Sequence, residues 1–136
     1  MKRVIFACVH NAGRSQMARA FFEQMADPAK AAGLSAGTEP GTRVHPEVLA
    51  AMHEVGLDLG AARPQLLTPA LAAQASLLVT MGCGERCPYI PGLEVLDWEL
   101  EDPKGRPVGR VREIRDDIRR RVSDLVRSND WARPRG

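Results

Sequence analysis

Apolar residues along this chain fall into two patterns, short unbroken runs and longer stretches in which they recur every three or four positions. Val4 to Ala7 is a run of the first kind, the pattern of a strand covered on both faces. From Ser15 onward Met17, Ala20, Phe21 and Met25 recur at helical spacing. A short strand follows around Leu34 to Ala36, leading into a loop rich in Gly, Pro and Thr. Pro46 and Gly56 bracket a helix that carries Val48, Met52 and Val55 on one face. A brief helix starts at Pro69. "SLLVTM" is a second buried-type strand, and "LEVLDWEL" is a third candidate by its apolar and β-branched content. The last long element runs from about Gly109 to Arg127, with Val111, Ile114, Ile118, Val122 and Leu125 forming one apolar stripe. "SNDWARPRG" is a polar tail with no clear structural preference.

Strands alternating with helices predict an α/β fold: a parallel sheet with right-handed crossovers and helices on both faces, residues 1–136 making one domain. Ligands of such sheets bind beyond the carboxyl ends of the strands. Cys8 ends the first strand, Cys83 follows the one ending near Met81, and Asp102 follows the one ending near Leu100. All three should therefore gather at one rim.

The composition narrows the options. Hydrophobic content of 44% and charged content of 26% are ordinary for a globular domain. Aromatics at 4% are too few for a base-stacking surface, and a net charge of +2 calls for no polyanionic partner. The arginines from Arg110 to Arg127 alternate with Glu113, Asp116, Asp117 and Asp124, an ion-paired helix face and not a nucleic-acid patch. No apolar run approaches a membrane span, and "VIFACV" is too short for a secretory leader. A cytoplasmic location is expected, where an odd set of three cysteines stays reduced unless used.

The chemistry concentrates in "CVHNAGRS". A short loop from strand to helix turns its backbone N–H groups into a concave nest, aided by the positive end of the helix. Val9, His10, Asn11, Ala12, Gly13, Arg14 and Ser15 are the candidate oxyanion-binding residues, with the Arg14 guanidinium as a planar clamp. The same positive field favours the Cys8 thiolate, making Cys8 the candidate nucleophile. Asn11 tolerates a left-handed backbone and can brace the loop, while Ser15 is placed to cap the helix or to donate to the sulfur. A Cys-x5-Arg spacing by itself is unspecific; the alternative makes Cys8 a small buried hydrophobe and Arg14 a solvated residue at a helix start.

With these residues in view, the chain resembles the arsenate reductases of the low-molecular-weight tyrosine phosphatase type along nearly its whole length. "CVHNAGRSQMA", "SAGT", "HPEVLAAMHEVGLDL", "VTMGCG", "DWELEDP" and "IRRRV" occur in the order of that family. The resemblance implies a four-stranded parallel sheet in the order 2-1-3-4. It differs from the family pattern at His10, where relatives often carry Gly, and in the three residues separating Cys83 from Cys87.

What the resemblance implies for chemistry is a thiol relay. Cys8 attacks arsenate held by the loop and Arg14, with Asp102 (or, as second choice, Asp97) as the acid. Cys83 then attacks Cys8, and Cys87 takes over the disulfide. No bound cofactor is expected. The reductant would be external: thioredoxin first, or a small thiol with a glutaredoxin-type partner. Two other readings stay open. A phosphatase would use the same loop and acid without Cys83 or Cys87. A non-catalytic oxyanion or zinc-binding module would draw on Cys83 and Cys87 with Cys8, His10, His45 or His53, whose spacing shows no second half-site; the three histidines fit surface or capping positions better.

Overall fold

The computed structural model describes residues 2–82 and 90–134. Four strands, β1 (Lys2–Cys8), β2 (Ala31–Gly37), β3 (Leu77–Thr80) and β4 (Glu94–Asp97), form one parallel sheet in the order β2-β1-β3-β4. The helices are α1 (Arg14–Met25), α2 (Pro46–His53), the single turn α3 (Pro69–Ala72) and α4 (Val108–Ser128). The expected class and strand order are both present.

Strand β1 is central, so its side chains feed both layers of core. Val4, Phe6 and Cys8 face α1, α2 and α4 in the larger layer, with Met17, Phe21, Phe22, Val48, Met52, Ile114, Ile118 and Val122. Ile5 and Ala7 face the smaller layer, with Ala36, Leu67, Ala72 and Leu78. Each large side chain taken fully out of water there contributes roughly 1.5–3 kcal/mol. The stripe expected on the last helix is buried as anticipated: Val111, Ile114, Ile118, Val122 and Leu125 all face the core.

Several boundaries differ from the sequence pattern, each for a local reason. β2 runs from Ala31, earlier than Leu34, because the register with β1 extends down to the Lys2–Ala31 pair. Its "AAG" start has little intrinsic strand preference and is recruited by the neighbouring ladder. β4 ends at Asp97, not near Leu100, and is exposed at all four positions, as befits an edge strand. The tail is ordered by docking. Trp131 packs edge-on against Phe22 at 6.1 Å, and Arg133 donates to the Glu23 and Gln24 carbonyls at the end of α1.

Candidate functional site

The loop 9–13 leaves β1 and enters α1, and its carbonyls are held from outside. The Cys8, Val9, His10 and Ala12 oxygens accept from the backbone N–H groups of Thr38, Glu39, Gly41 and His45, at 3.2, 2.8, 2.9 and 2.9 Å. The Asn11 oxygen accepts from Gln16 Nε2 at 3.0 Å. In a trans peptide the next N–H points opposite to the carbonyl, and the described peptides are all trans. The amides of Val9, His10, Asn11, Ala12 and Gly13 therefore turn inward. The first-turn amides of Arg14, Ser15 and Gln16 join them, since a helix start has no internal acceptors for them. A cup of this kind can hold a tetrahedral oxyanion.

The β2–α2 segment can grip the loop this closely because Gly37 lacks a side chain. A Cβ there would lie 2.6 Å from the Val9 oxygen and 2.9 Å from the Asn11 nitrogen. The bottom of the loop is pinned by Asn11, fully buried and left-handed at φ 51°. Its Oδ1 accepts from the Gln65 N–H at 2.9 Å and from Gln16 Nε2 at 3.3 Å, and its Nδ2 donates to Ser15 Oγ at 2.7 Å. Ser15 Oγ lies 2.9 Å from Cys8 Sγ. Because Ser15 already accepts from Asn11, its own hydrogen is available to a sulfur anion. The capping role considered for Ser15 is not taken: the N-cap of α1 is Gly13, with no side-chain cap bond. The free thiol of Cys8 is 2% exposed, so only the open side of the cup leads to it.

Arg14 stands at the mouth, 9% exposed. Its Nη1 donates to the Leu100 carbonyl at 3.0 Å, and its Nη2 lies 3.9 Å from Asp102 Oδ2. Asp102 is thus the carboxylate that meets Arg14, half exposed, with Oδ1 accepting from the Lys104 N–H. Pro103 packs beside Gly13, and Glu47 Oε1 accepts from the Gly105 N–H at 3.2 Å, tying this loop to the start of α2. Asp97 is engaged elsewhere, accepting from Thr80 Oγ1 at 2.6 Å. His10 donates from Nδ1 to the Glu39 carbonyl, and His45 supplies its backbone N–H to the loop.

The rim inferred from sequence thus brings Cys8, Arg14 and Asp102 together. Cys83 and Cys87 lie outside the described residues. Sequence reasoning did not single out the collar 38–45, Gln65 or the Leu100 carbonyl. Backbone partners carry no residue-type signal, although the glycine of "SAGT" marks the close approach. A cavity of about 700 Å³ runs past Gln16, Ser35, Arg63 and Gln65 along β2. Among the described residues no three His, Cys, Asp or Glu side chains gather as a metal site, and no helix is long and apolar enough to cross a membrane.

Comparison with known proteins agrees with this architecture. A Halobacterium salinarum protein is 40% identical over 126 residues, covering 88% of this chain and 87% of its own. The glutaredoxin arsenate reductase of a Synechocystis species is 34% identical over 93% of this chain and 97% of its own. The solved structure of a Corynebacterium glutamicum thioredoxin-dependent arsenate reductase superposes with a TM-score of 0.82 at 38% identity. That match takes in 96% of this chain, which spans only 62% of the longer one. Residues 3–131 match the family described as low molecular weight phosphotyrosine protein phosphatase, and the chain belongs to that family.

Proposed function

We propose that this chain reduces arsenate to arsenite at the Cys8 cup, drawing electrons from an external thiol reductant. The observation that carries the reading is a buried thiol, 2.9 Å from a serine hydroxyl, at the base of a loop whose amides turn inward. Arsenate is held by the loop amides of Val9 to Ser15 and by Arg14. The Cys8 thiolate attacks arsenic, and Asp102 gives its proton to the oxygen that leaves as water. Cys83 then attacks Cys8. The sulfur–arsenic bond breaks with its electron pair going to arsenic, so arsenite departs and a Cys8–Cys83 disulfide remains. Cys87 displaces Cys8, and the Cys83–Cys87 disulfide passes to a reduced dithiol. Thioredoxin is the proposed donor, acting in the cytoplasm; a small thiol with a glutaredoxin-type partner is the alternative. The pair Cys83 and Cys87, together with the activities named for the relatives, supports reduction over ester hydrolysis, which uses neither cysteine.

The test couples NADPH oxidation through thioredoxin and its reductase, with and without arsenate, beside a phosphate-ester assay. Arsenate-dependent oxidation is expected, lost in Cys8→Ser. Cys87→Ser should release about one arsenite per enzyme and stop with Cys8 joined to Cys83, as a two-electron exchange requires. Normal cycling of both Cys83→Ser and Cys87→Ser with thioredoxin would overturn the relay. Ester hydrolysis without arsenate reduction would overturn the activity.

A further inference from the structure

We propose that Gly82 is a positioning residue for the cup: its bare backbone is the seat on which the Arg14 guanidinium rests. Gly82 follows β3 in a left-handed conformation, φ +88°, which L side chains rarely adopt. A Cβ at this position would lie 2.4 Å from Arg14 Nη1, 3.1 Å from Cζ and 3.3 Å from Nη2, so the whole guanidinium lies against it. The remaining sides are set by the Leu100 carbonyl at 3.0 Å and Asp102 at 3.9 Å. An arginine side chain left unplaced loses its rotamer freedom when it clamps a ligand. One already seated has lost that freedom during folding, and its fork meets the anion ready aligned.

The collision is with the far end of a flexible chain, at a position where Gly82 itself is exposed. A side chain at 82 would therefore move Arg14 and leave the core alone. The inference rests on the reading of loop 9–15 as an oxyanion cup and goes beyond it, because nothing in the cup's own sequence specifies residue 82.

Inorganic phosphate is the probe, titrated against alkylation of the Cys8 thiol followed by mass spectrometry of its peptide. Gly82→Ala is expected to weaken phosphate protection about 10-fold, the scale of one charge-assisted contact, and to lower the phosphate-free unfolding midpoint by no more than a left-handed alanine costs. Gly82→Asn, which tolerates the left-handed backbone but carries the same Cβ, must show the same loss, and it stands in if the alanine variant fails to fold. In both, the Nε–H resonance of Arg14 should move toward that of free arginine. A loss of affinity below about threefold in a folded variant, or an unchanged Arg14 resonance, overturns the proposal. Wild-type protein that gains no protection from phosphate would instead bring down the cup itself.

Discussion

The two halves of the site are held in opposite ways. Around Cys8, five consecutive carbonyls each have a hydrogen-bond partner, and Asn11 and Ser15 are wholly buried. Around Asp102, the side chain is 46% exposed, its approach to Arg14 is a long 3.9 Å, and the preceding strand β4 is open at every position. The cup is thus over-determined by its own hydrogen bonds, which is what the electrostatic stabilisation of a developing charge proposed for it needs. The half proposed to supply the proton is tied at its flanks, by the Glu47–Gly105 bond, the Pro103–Gly13 contact and the ion pairs of Glu101 with Arg106 and Arg110, while the Asp102 carboxylate itself stays half exposed.

The sharpest break between the halves is Asp102→Asn. Removing a positioned acid costs about 10²-fold or more in turnover. Because the carboxylate is half exposed and its ion pair is long, stability should stay within about 0.5 kcal/mol. Phosphate protection of Cys8 should be largely retained. Steady-state arsenate reduction and a denaturant melt measure both quantities on one sample. A variant that loses stability and keeps turnover would show that Asp102 belongs to the rigid half.

Asn11→Ala attacks that rigid half. It leaves the part-buried Gln65 N–H without an acceptor, removes the donor to the buried Ser15 Oγ, and asks alanine to hold φ 51°. An unsatisfied buried group costs about 1–3 kcal/mol and the left-handed backbone a further 1–2 kcal/mol. A destabilisation of about 2–4 kcal/mol is expected in urea, accompanied by weaker phosphate protection. Stability unchanged from wild type would mean that the collar alone shapes the cup.

The same contrast decides what could be read beforehand. The sheet was legible because Val4 to Ala7 and Leu77 to Val79 are apolar on both faces, and α4 because its stripe steps by three and four. Cys8, Asn11, Arg14 and Asp102 stand out in the sequence because the chemistry proposed for them depends on side-chain identity. The collar was not. Thr38, Glu39, Gly41 and His45 act through backbone N–H groups, which every residue but proline offers, so nothing in their letters announces it. The ordered tail was hidden for a related reason: Arg133 reads as a solvated charge until the open carbonyls of α1 appear beside it.

The smallest effect tests whether the rigid half is insulated from the rest of the molecule. Glu54, just past the end of α2, accepts from Arg112 at 2.6 Å and from Arg115 at 2.8 Å on α4. The hydrogen bond from Arg112, then that from Arg115, holds its carboxyl well below the ordinary 4.5, at about 2. A carboxylate with a depressed folded-state pKa stabilises the fold above its unfolded value, and that contribution fades as pH falls from about 4.5 through about 2. Wild type should therefore lose stability more steeply than Glu54→Gln over this interval, with the two curves converging at its acid end. At neutral pH the variant should be only slightly less stable, because the pair is solvent-screened. Although α2 touches the cup through His45 at its other end, phosphate protection of Cys8 should be the same in both proteins. A weaker cup in Glu54→Gln would mean that α2 transmits strain along its length, and the loop would then depend on α4 as well as on its collar.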